Sequence, residues 1–452
     1  MTVPLQGAAS GISSGDTAWL LVSTALVMLM VPGLALFYGG LVRSKSSLNT
    51  LMMSVAALGV VTVQWVLVGY SLAFSSKSAL LGGLHWWGFN GVGLEPNPTY
   101  AATVPHVAYA TFQAMFAAIT IALVSGAVVE RLRFRAYLVF VAIWTTVVYD
   151  PLAHWVWGEG GWLRNLGALD FAGGTVVHVS AGTSALVAAW MLGQRRGLGR
   201  IAFVPHNVPF TVLGAGLLWF GWFGFNAGSA LAANGLAASA LLATQVAASA
   251  SLTVWMLIDL TRTGTSTAVG AATGAVVGLV AITPAAGYVT PRAALVIGAI
   301  AAIGSYFAIQ LRARTSVDDS LDVFACHGVA GIIGALLTGV FATKAVNPAG
   351  ANGLLAGNPT QVRIQLMAVV ATMGLAGGLT LGILGALRVV MPLRVPLDRE
   401  LFGVDQSEHG EEAYHGADIG DITGRHISLG DSVLIPASDI GGSGSNPRSA
   451  SA

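Results

Sequence analysis

Charged residues are scarce in this sequence. Only 9% of its 452 residues are Asp, Glu, Lys or Arg, whereas 55% are hydrophobic. A soluble protein covers its surface with far more charge, about a quarter of all residues in a typical domain. The mean hydropathy of +0.74, together with repeated long apolar runs, indicates a polytopic membrane protein instead.

Cysteine is also nearly absent, since Cys326 is the single one in the chain. One thiol excludes a disulfide within the chain and any paired-cysteine metal or redox site. The first 16 residues contain no Lys or Arg, so the apolar run Thr17 to Leu41 is predicted to be a retained helix rather than a signal peptide. No basic patch suits a nucleic acid, and we expect no such partner.

Hydropathy predicts an all-α polytopic membrane protein with eleven transmembrane helices. The apolar runs lie near residues 17–41, 51–74, 102–129, 136–156, 171–193, 209–230, 236–260, 266–285, 292–311, 321–342 and 363–388. We assign residues 1–389 to the transmembrane domain and residues 390–418 to a cytoplasmic regulatory tail. Residues 419–452, which end in a Ser- and Gly-rich stretch, are predicted to be a disordered extension.

Basic residues distinguish the two sides of this predicted topology. Sixteen of the 21 Lys and Arg follow the odd-numbered helices or lie in the tail, and five fall on the other side. Because loops rich in Lys and Arg remain in the cytoplasm, we expect the N-terminus outside and the C-terminus inside. The expected location is the plasma membrane, the inner membrane of a prokaryotic cell.

One pattern of residues occurs twice in the chain. Asp170 is followed by His178 eight residues later, and Asp319 is followed by His327 at the same spacing, each His preceding an Ala-Gly pair by three residues. The first copy begins predicted helix five at its outer end, and the second begins helix ten at its inner end. Use of the motif in opposite directions predicts an inverted 5+5 repeat plus a final helix. Chance similarity of a few letters is the alternative.

His178 and His327 occupy the middle of those two helices. At 1.5 Å per residue, each lies about 12 Å from its Asp, near the centre of a hydrocarbon layer of about 30 Å. Titratable groups at that depth are costly and usually functional, although a single buried histidine is more commonly structural. Two neutral imidazoles could bind a small polar solute or relay a proton. Two ligands are too few for a usual zinc site, so we expect no metal and no cofactor.

Aromatic side chains gather near the predicted outer side. Phe112 and Phe116 are one turn apart in helix three, Trp157 ends helix four, and Phe225 lies one turn before Ser229 in helix six. Aromatic faces attract small cations, and a serine hydroxyl can accept an N–H bond. Together these residues form a candidate cation site, although each alone is also typical of a helix core.

Asp170 stands near the outer end of predicted helix five, at the start of the helix. A carboxylate at that position is typical of an N-cap. It could also stabilise a cation at the outer site electrostatically. The two roles are compatible, and the sequence leaves both open.

Six further stretches, spread over most of the chain, carry one recognisable pattern: residues 111–116, 125–134, 153–158, 167–178, 221–229 and 318–331. Together they resemble the ammonium transporter (Amt/Rhesus) family, most closely its bacterial Amt branch. Because they are spread over most of the chain, the resemblance implies the family's architecture of eleven helices per subunit, a homotrimer, and one pore through each subunit. It implies a transporter and not an enzyme.

The resemblance also implies roles for the aromatic residues. Phe116, Trp157 and Ser229 correspond to the family's outer ammonium-binding site, with Phe112 nearby. Phe116 and Phe225 correspond to the stacked gate beneath that site.

It further implies roles for the repeated motif and the tail. His178 and His327 correspond to the paired histidines of the pore, and Asp170 to the acid that supports the outer site. Residues 388–417 resemble the family's regulatory C-terminus, whose expected partner is a PII-type signalling protein at the cytoplasmic face.

The sequence therefore predicts uptake of ammonium, bound outside as NH4⁺, deprotonated near the gate and passed between the histidines as NH3. Potassium has the same charge and a similar size but no proton to lose, so we expect it to be rejected. The alternatives are an ammonium sensor of the same fold, a Rhesus-like gas channel for NH3 or CO2, and an intramembrane metalloenzyme. A fused kinase or cyclase domain would favour the sensor, and the predicted tail is too short for one. Trp157 and Ser229 argue against the gas channel because a neutral solute does not need them.

Overall fold

The computed structural model describes residues 11–414 and the backbone of residues 419–420 and 426–427. The chain divides into two compact units, Met1–Glu411 and Glu412–Ala452. Apart from two short strands, the predicted extension 419–452 lies outside the described residues. The described part of the first unit is a bundle of helices.

Ten helices in the described part of the chain are long and apolar enough to cross a membrane, and one shorter apolar helix accompanies them. In chain order they are α1 Ser14–Leu41, α2 Ser44–Phe74, α3 His106–Val128, α4 Phe134–Val156, α5 Gly174–Leu192, α6 Val208–Ala227, α7 Gly235–Thr263, α8 Ala268–Ile282, α9 Pro291–Arg312, α10 Phe324–Phe341 and α11 Thr360–Val390. The predicted all-α membrane fold is confirmed. The eighth segment is shorter than predicted, because α8 ends at Ile282 and Pro284 has no N–H with which to continue it.

The remaining elements are short. They are the helices Trp87–Phe89, Trp162–Leu166 and Leu354–Ala356, the helices α12 Leu397–Phe402 and α13 Val404–His409, and the strands β1 Pro96–Asn97, β2 Ala101–Pro105, β3 Ile419–Gly420 and β4 His426–Ile427. β1 pairs with β2, and β3 with β4, both antiparallel. Side-chain oxygens begin several long helices by accepting backbone N–H groups, as Ser13 does for α1 and Asn234 for α7.

Five of the long helices contain a π-helical turn, a local widening that is common at functional sites. The turns are Trp65–Gly69, Thr145–Tyr149, Gly174–Val179, Phe223–Ala227 and Phe324–Val329. α5 and α10 both begin with such a turn, and each of these two turns contains the histidine of the repeated motif. The two copies of the motif therefore share an irregular backbone as well as a sequence pattern.

α5 and α10 cross in direct backbone contact at the centre of the bundle. A Cβ atom added at Gly182 would lie 2.3 Å from the backbone nitrogen of Gly328, so only glycine permits this approach. α3 and α5 are also the most enclosed helices, whereas α2 presents much of its surface outward. The crossing places the two histidines near each other inside the bundle.

Buried ion pairs join the segments that follow α1, α3, α5 and α9; we call this side the Arg195 end. Arg195 contacts Glu130 at 2.8 Å and Asp318 at 2.9 Å, and Arg43 contacts Glu130 at 2.7 Å. Burial alone would raise the pKa of Asp318, but hydrogen bonds from Arg195 and the charges of Arg131 and Arg195 hold that pKa below its ordinary value. These loops are the ones that the charge pattern groups on one side.

The segment after α11 packs against the same Arg195 end. Arg394 forms an ion pair with Glu400 at 2.8 Å. The carboxylate of Asp405 in α13 accepts the backbone N–H groups of Leu48 and Asn49 at 2.9 and 2.7 Å, near the start of α2. Residues up to Glu411 therefore belong to the same compact unit as the bundle.

Candidate functional site: a histidine-lined pathway through the bundle

His178 and His327 meet at the α5–α10 crossing. Their Nδ1 atoms lie 3.3 Å apart, their ring centroids 5.4 Å apart, and their ring planes are 21° from parallel. Both side chains are buried, with at most 3% of either residue exposed. The structure thus places the two predicted pore histidines next to each other, and their shared role stays a prediction.

A hydrogen bond between the two Nδ1 atoms fixes how protons are distributed over the pair. One Nδ1 must donate and the other must accept, so two neutral rings must be opposite tautomers. One ring then offers its Nε2 as an acceptor and the other offers an Nε2–H donor. Within the described part of the chain, the Nε2 of His178 has no hydrogen-bond partner, which leaves it available to a solute.

Trp222 is a site residue that sequence reasoning missed. Its ring stacks on His178 with a centroid distance of 5.4 Å and an interplanar angle of 20°. Its Nε1 donates to the hydroxyl of Thr283 at 2.9 Å, which fixes the ring. The available signal was its place three residues before Phe225 in α6, about one helical turn away.

Phe116 and Phe225 form a stacked pair beside the histidines. Their centroids are 4.1 Å apart with planes only 12° from parallel, and both side chains are buried. Phe225 also lies 6.1 Å from the ring of His178. Since stacked rings at this distance leave no gap, a solute can pass between them only if one ring moves.

Trp157, Phe112 and Ser229 lie next to this stacked pair, on the side that we call the Trp157 end. Trp157 meets Phe116 edge to face at 6.1 Å, and Phe112 meets Phe116 at 4.9 Å. The hydroxyl of Ser229 donates to the carbonyl of Phe225 at 2.9 Å, so its lone pairs stay free to accept. Trp157 and Ser229 are both partly exposed. The structure thus brings together all five residues of the predicted cation site.

Asp170 is buried, and its carboxylate is fully occupied by the start of α5. It accepts backbone N–H groups from Gly173, Gly174, Thr175 and Val176 at 2.6–3.2 Å, and it also accepts the Thr175 hydroxyl. Its main-chain carbonyl accepts the Nε1–H of Trp157 at 2.9 Å. The N-cap position itself belongs to Gly173, and Asp170 satisfies the first N–H groups of the helix from just upstream. The contact of Asp170 with the aromatic cluster runs through its backbone carbonyl.

Asp319 occupies the equivalent place in the second motif, but its carboxylate accepts fewer hydrogen bonds than that of Asp170. Its Oδ2 accepts the backbone N–H of Phe324 at 2.7 Å, while its Oδ1 has no partner among the described residues. The preceding Asp318 carries the ion pair to Arg195 instead. The repeat is therefore conserved in backbone shape and histidine position, but its two acidic residues differ in their contacts.

Two cavities meet at His327. A cavity of about 10 Å³, lined by both histidines, Phe225 and Trp222, is close to the least volume that holds one water molecule. A larger cavity of about 350 Å³ extends from His327 toward the Arg195 end. In the described part of the chain, no group of three or more His, Cys, Asp and Glu side chains is arranged to hold a metal ion.

Comparison with known proteins identifies the family. The sequence profile of the Ammonium Transporter Family matches residues 18–414, nearly the whole described chain. This chain belongs to the ammonium transporter family. The family resemblance that the six stretches indicated is therefore confirmed.

Relatives of this family member include bacterial and archaeal proteins. An ammonium transporter of Bacillus subtilis is 46% identical over 88% of this chain and 98% of its own length. The ammonium transporter Amt1 of Archaeoglobus fulgidus is 44% identical over 89% of this chain and its own full length.

Solved structures of the family have the same fold. Candida albicans Mep2 superimposes with a TM-score of 0.82 at 38% identity, covering 89% of this chain and 91% of that protein. A sensor Amt protein superimposes with a TM-score of 0.81 at 30% identity, covering 87% of this chain and 98% of its own. This ammonium transporter family member thus shares its fold with Mep2 and with a protein described as a sensor.

Proposed function

We propose that this protein takes up ammonium across the plasma membrane through the pathway from Trp157 to His327. The observation that carries the proposal is the continuity of that path. Trp157 adjoins Phe116, Phe116 stacks on Phe225, Phe225 adjoins His178, and His178 bonds to His327. Along this path, groups that can bind a cation come first, the gate comes next, and neutral hydrogen-bonding groups come last. This is the order needed by a cation that loses its proton on the way.

The Trp157 end binds the cation. Ring faces of Trp157 and Phe116 supply cation–π attraction, with Phe112 behind them, and the Ser229 hydroxyl accepts one N–H from NH4⁺. Asp170 supports this site because its main-chain carbonyl oxygen accepts the Nε1–H of Trp157 and so holds that ring in place. A partly exposed site of this kind concentrates the cation before any proton is lost.

The interior beyond the gate favours the neutral molecule. An unpaired charge in a cavity of this size and apolar lining pays a large desolvation cost. NH3 can donate to one imidazole nitrogen and accept from the Nε2–H of the other ring. Potassium binds ring faces as well, but it cannot shed its charge and therefore stops at the gate.

The same proposal assigns the orientation of the protein in the membrane and its partners. The Arg195 end is the cytoplasmic side, because the basic loops meet there. The functional unit is a homotrimer with one pore per subunit. The packed segment from Arg394 to His409 forms a cytoplasmic surface for a PII-type signalling protein.

Current recording on proteoliposomes tests the proposal. Ammonium pulses at matched ionic strength are compared with potassium pulses, and a pH-sensitive dye inside the vesicles reports NH3 entry. Ammonium-dependent current or internal alkalinisation, without a potassium response, is the expected result. Uptake of CO2 without an ammonium response would favour a gas channel, and absence of any flux would favour a sensor.

A further inference from the structure

Asp259 is a buried carboxylate near the end of α7, at the Arg195 end of the bundle. It lies four residues before α7 ends at Thr263, and only 7% of the residue is exposed. Its Oδ2 accepts the backbone N–H and the hydroxyl of Thr267 at 3.4 and 3.2 Å, whereas its Oδ1 accepts no hydrogen bond in the described part of the chain. A buried carboxylate without a positive partner is costly, so a bound cation would stabilise it.

The positive side chains closest to Asp259 in sequence or in its surroundings are engaged elsewhere. Arg262 follows it by three residues, but its guanidinium carbon lies over the ring of Tyr306, 5.9 Å from the ring centroid. Arg312 pairs with Asp322 at 2.7 Å. Among the residues that the structure describes, none forms an ion pair with Asp259. The negative charge at this position is therefore left for a ligand.

Asp259 lines the cavity of about 350 Å³ that extends from His327, which we call the Asp259 cavity. The neighbouring cavity at the histidine pair has only about 10 Å³, close to the volume of one water molecule. A cation in the narrow cavity must give up its hydration shell, whereas a cation in the Asp259 cavity keeps part of it. The pathway thus widens beyond His327 from a space suited to NH3 to a space suited to NH4⁺.

Two aromatic rings line the same cavity. Trp255 precedes Asp259 by one helical turn, so the two side chains lie on the same face of α7. Tyr306 meets Trp255 edge to face at a centroid distance of 5.3 Å. Ring faces attract small cations, as at the Trp157 end. The C-terminal end of α7 adds the partial negative charge of its last carbonyl groups.

The inverted repeat relates this cavity to the Trp157 end. Tyr306 precedes Asp319 by 13 residues, and Trp157 precedes Asp170 by the same number. Because the two halves of the repeat run in opposite directions, equivalent positions lie at opposite ends of the pathway. Tyr306 therefore takes in the second half the place that Trp157 takes in the first.

We propose that the Asp259 cavity is a second cation site, in which the carboxylate of Asp259 and the rings of Trp255 and Tyr306 hold a monovalent cation of the size of ammonium. Its part in transport rests on the proposed function above. NH3 that has passed His327 takes a proton from water in the cavity, which leaves hydroxide for the cytoplasmic buffer, and the NH4⁺ formed is held at Asp259 until it leaves. Potassium binds here as well, because no step at this site requires the loss of a proton.

Binding of thallium(I), a monovalent cation that scatters X-rays anomalously, tests the site without reference to transport. Crystals of the full-length protein are soaked in thallium(I) nitrate over a range of concentrations. We expect an anomalous peak beside Asp259 that is displaced by ammonium or potassium, is lost in Asp259→Asn and remains in Asp398→Asn. Asp398 is the matched control because it is an exposed acid in α12 and does not line the cavity. A wild-type protein without the peak, or an equal peak in Asp259→Asn, would overturn the proposal.

Flux measured from each side of the membrane tests the role of the site in transport. Right-side-out vesicles present the Trp157 end to added ammonium, and inverted vesicles present the Arg195 end. Asp259→Asn should raise the ratio of the half-saturating concentrations, inverted over right-side-out, several-fold, and Trp157→Leu should lower it. An unchanged ratio in Asp259→Asn would contradict the proposal. If the wild-type protein carried no ammonium, the proposed function would fail, while the thallium peak would still decide whether Asp259 binds a cation.

Discussion

The Nδ1 atoms of His178 and His327 lie 3.3 Å apart, although the residues are 149 positions apart in the chain. Each histidine sits in a π-helical turn at the start of its helix, and the two helices touch through Gly182 and Gly328. Close helix approach and widened turns together let the two rings reach each other. The pair is thus a product of both halves of the repeat.

Acidic substitutions of the histidines should change selectivity. A carboxylate in the apolar pathway would hold a cation where a neutral imidazole does not, so His178→Asp or His327→Glu should admit potassium current. The matched neutral controls are His178→Asn and His327→Gln, which have similar size and should not pass potassium. Well-folded acidic variants that still exclude potassium would contradict the paired-histidine mechanism. Ion-selective current recording on proteoliposomes makes the measurement.

The two histidines should also act as one unit. Groups that share a hydrogen bond are typically coupled by about 0.5–3 kcal/mol, whereas distant groups contribute additively. The effects of His178→Ala and His327→Ala on flux should therefore not add in the double variant, in which we expect transport to be abolished or uncoupled from its driving force. Strictly additive effects on flux, in variants with normal expression, would indicate two independent structural residues.

Replacement of Trp157 should weaken the cation site and spare the fold. A cation–π contact is worth about 1 kcal/mol at an exposed site and about 2 kcal/mol when desolvated, so at this partly exposed site Trp157→Leu should raise the half-saturating ammonium concentration roughly tenfold and reduce discrimination against potassium. Trp155→Leu is the matched control, because Trp155 meets Trp162 edge to face and its Nε1 donates to the carbonyl of Leu80, away from Phe116. Equal effects of the two substitutions would argue against a special role for Trp157.

Removal of the packed tail should alter regulation more than insertion. A chain ending at Pro392 loses the Arg394–Glu400 ion pair and the contacts of Asp405 with the start of α2. We expect normal membrane insertion but a changed flux or a changed response to a nitrogen shift. A chain ending at Glu411 keeps these contacts and serves as the control for flux. Wild-type flux and regulation in the shorter chain would count against a regulatory tail.

Asp318 should contribute to stability in a pH-dependent way. Asp318→Asn leaves the buried guanidinium of Arg195 with one partner fewer, and breaking a buried pair costs about 3–5 kcal/mol. Because the pKa of Asp318 is lowered in the folded protein, this contribution is present above the unfolded-state pKa of about 3.9 and is lost as the pH falls through the lower folded value. Melting temperatures of the two proteins should therefore differ at pH 7 and converge in acid. A difference unchanged by pH would contradict the ion-pair assignment.

The sequence by itself determined the fold class and the order of the helices. Segments such as 102–129 and 136–156 match α3 and α4 within a few residues, because burial in hydrocarbon requires long apolar runs whatever the tertiary packing. The Asp-to-His spacing in two oppositely directed helices predicted the approach of His178 and His327. These signals are local in the chain or are repeated in it.

Only the tertiary structure determined which side chains and backbone groups contact one another at the site. Trp222 stacks on His178, and the main-chain carbonyl of Asp170 accepts the Nε1–H of Trp157. Helical spacing and the place of Asp170 at a helix start point to these residues but not to these partners, because a partner depends on which way a side chain points from an irregular turn and on what another segment places opposite it. Hydropathy and spacing locate a residue along its helix; packing in three dimensions determines its partners.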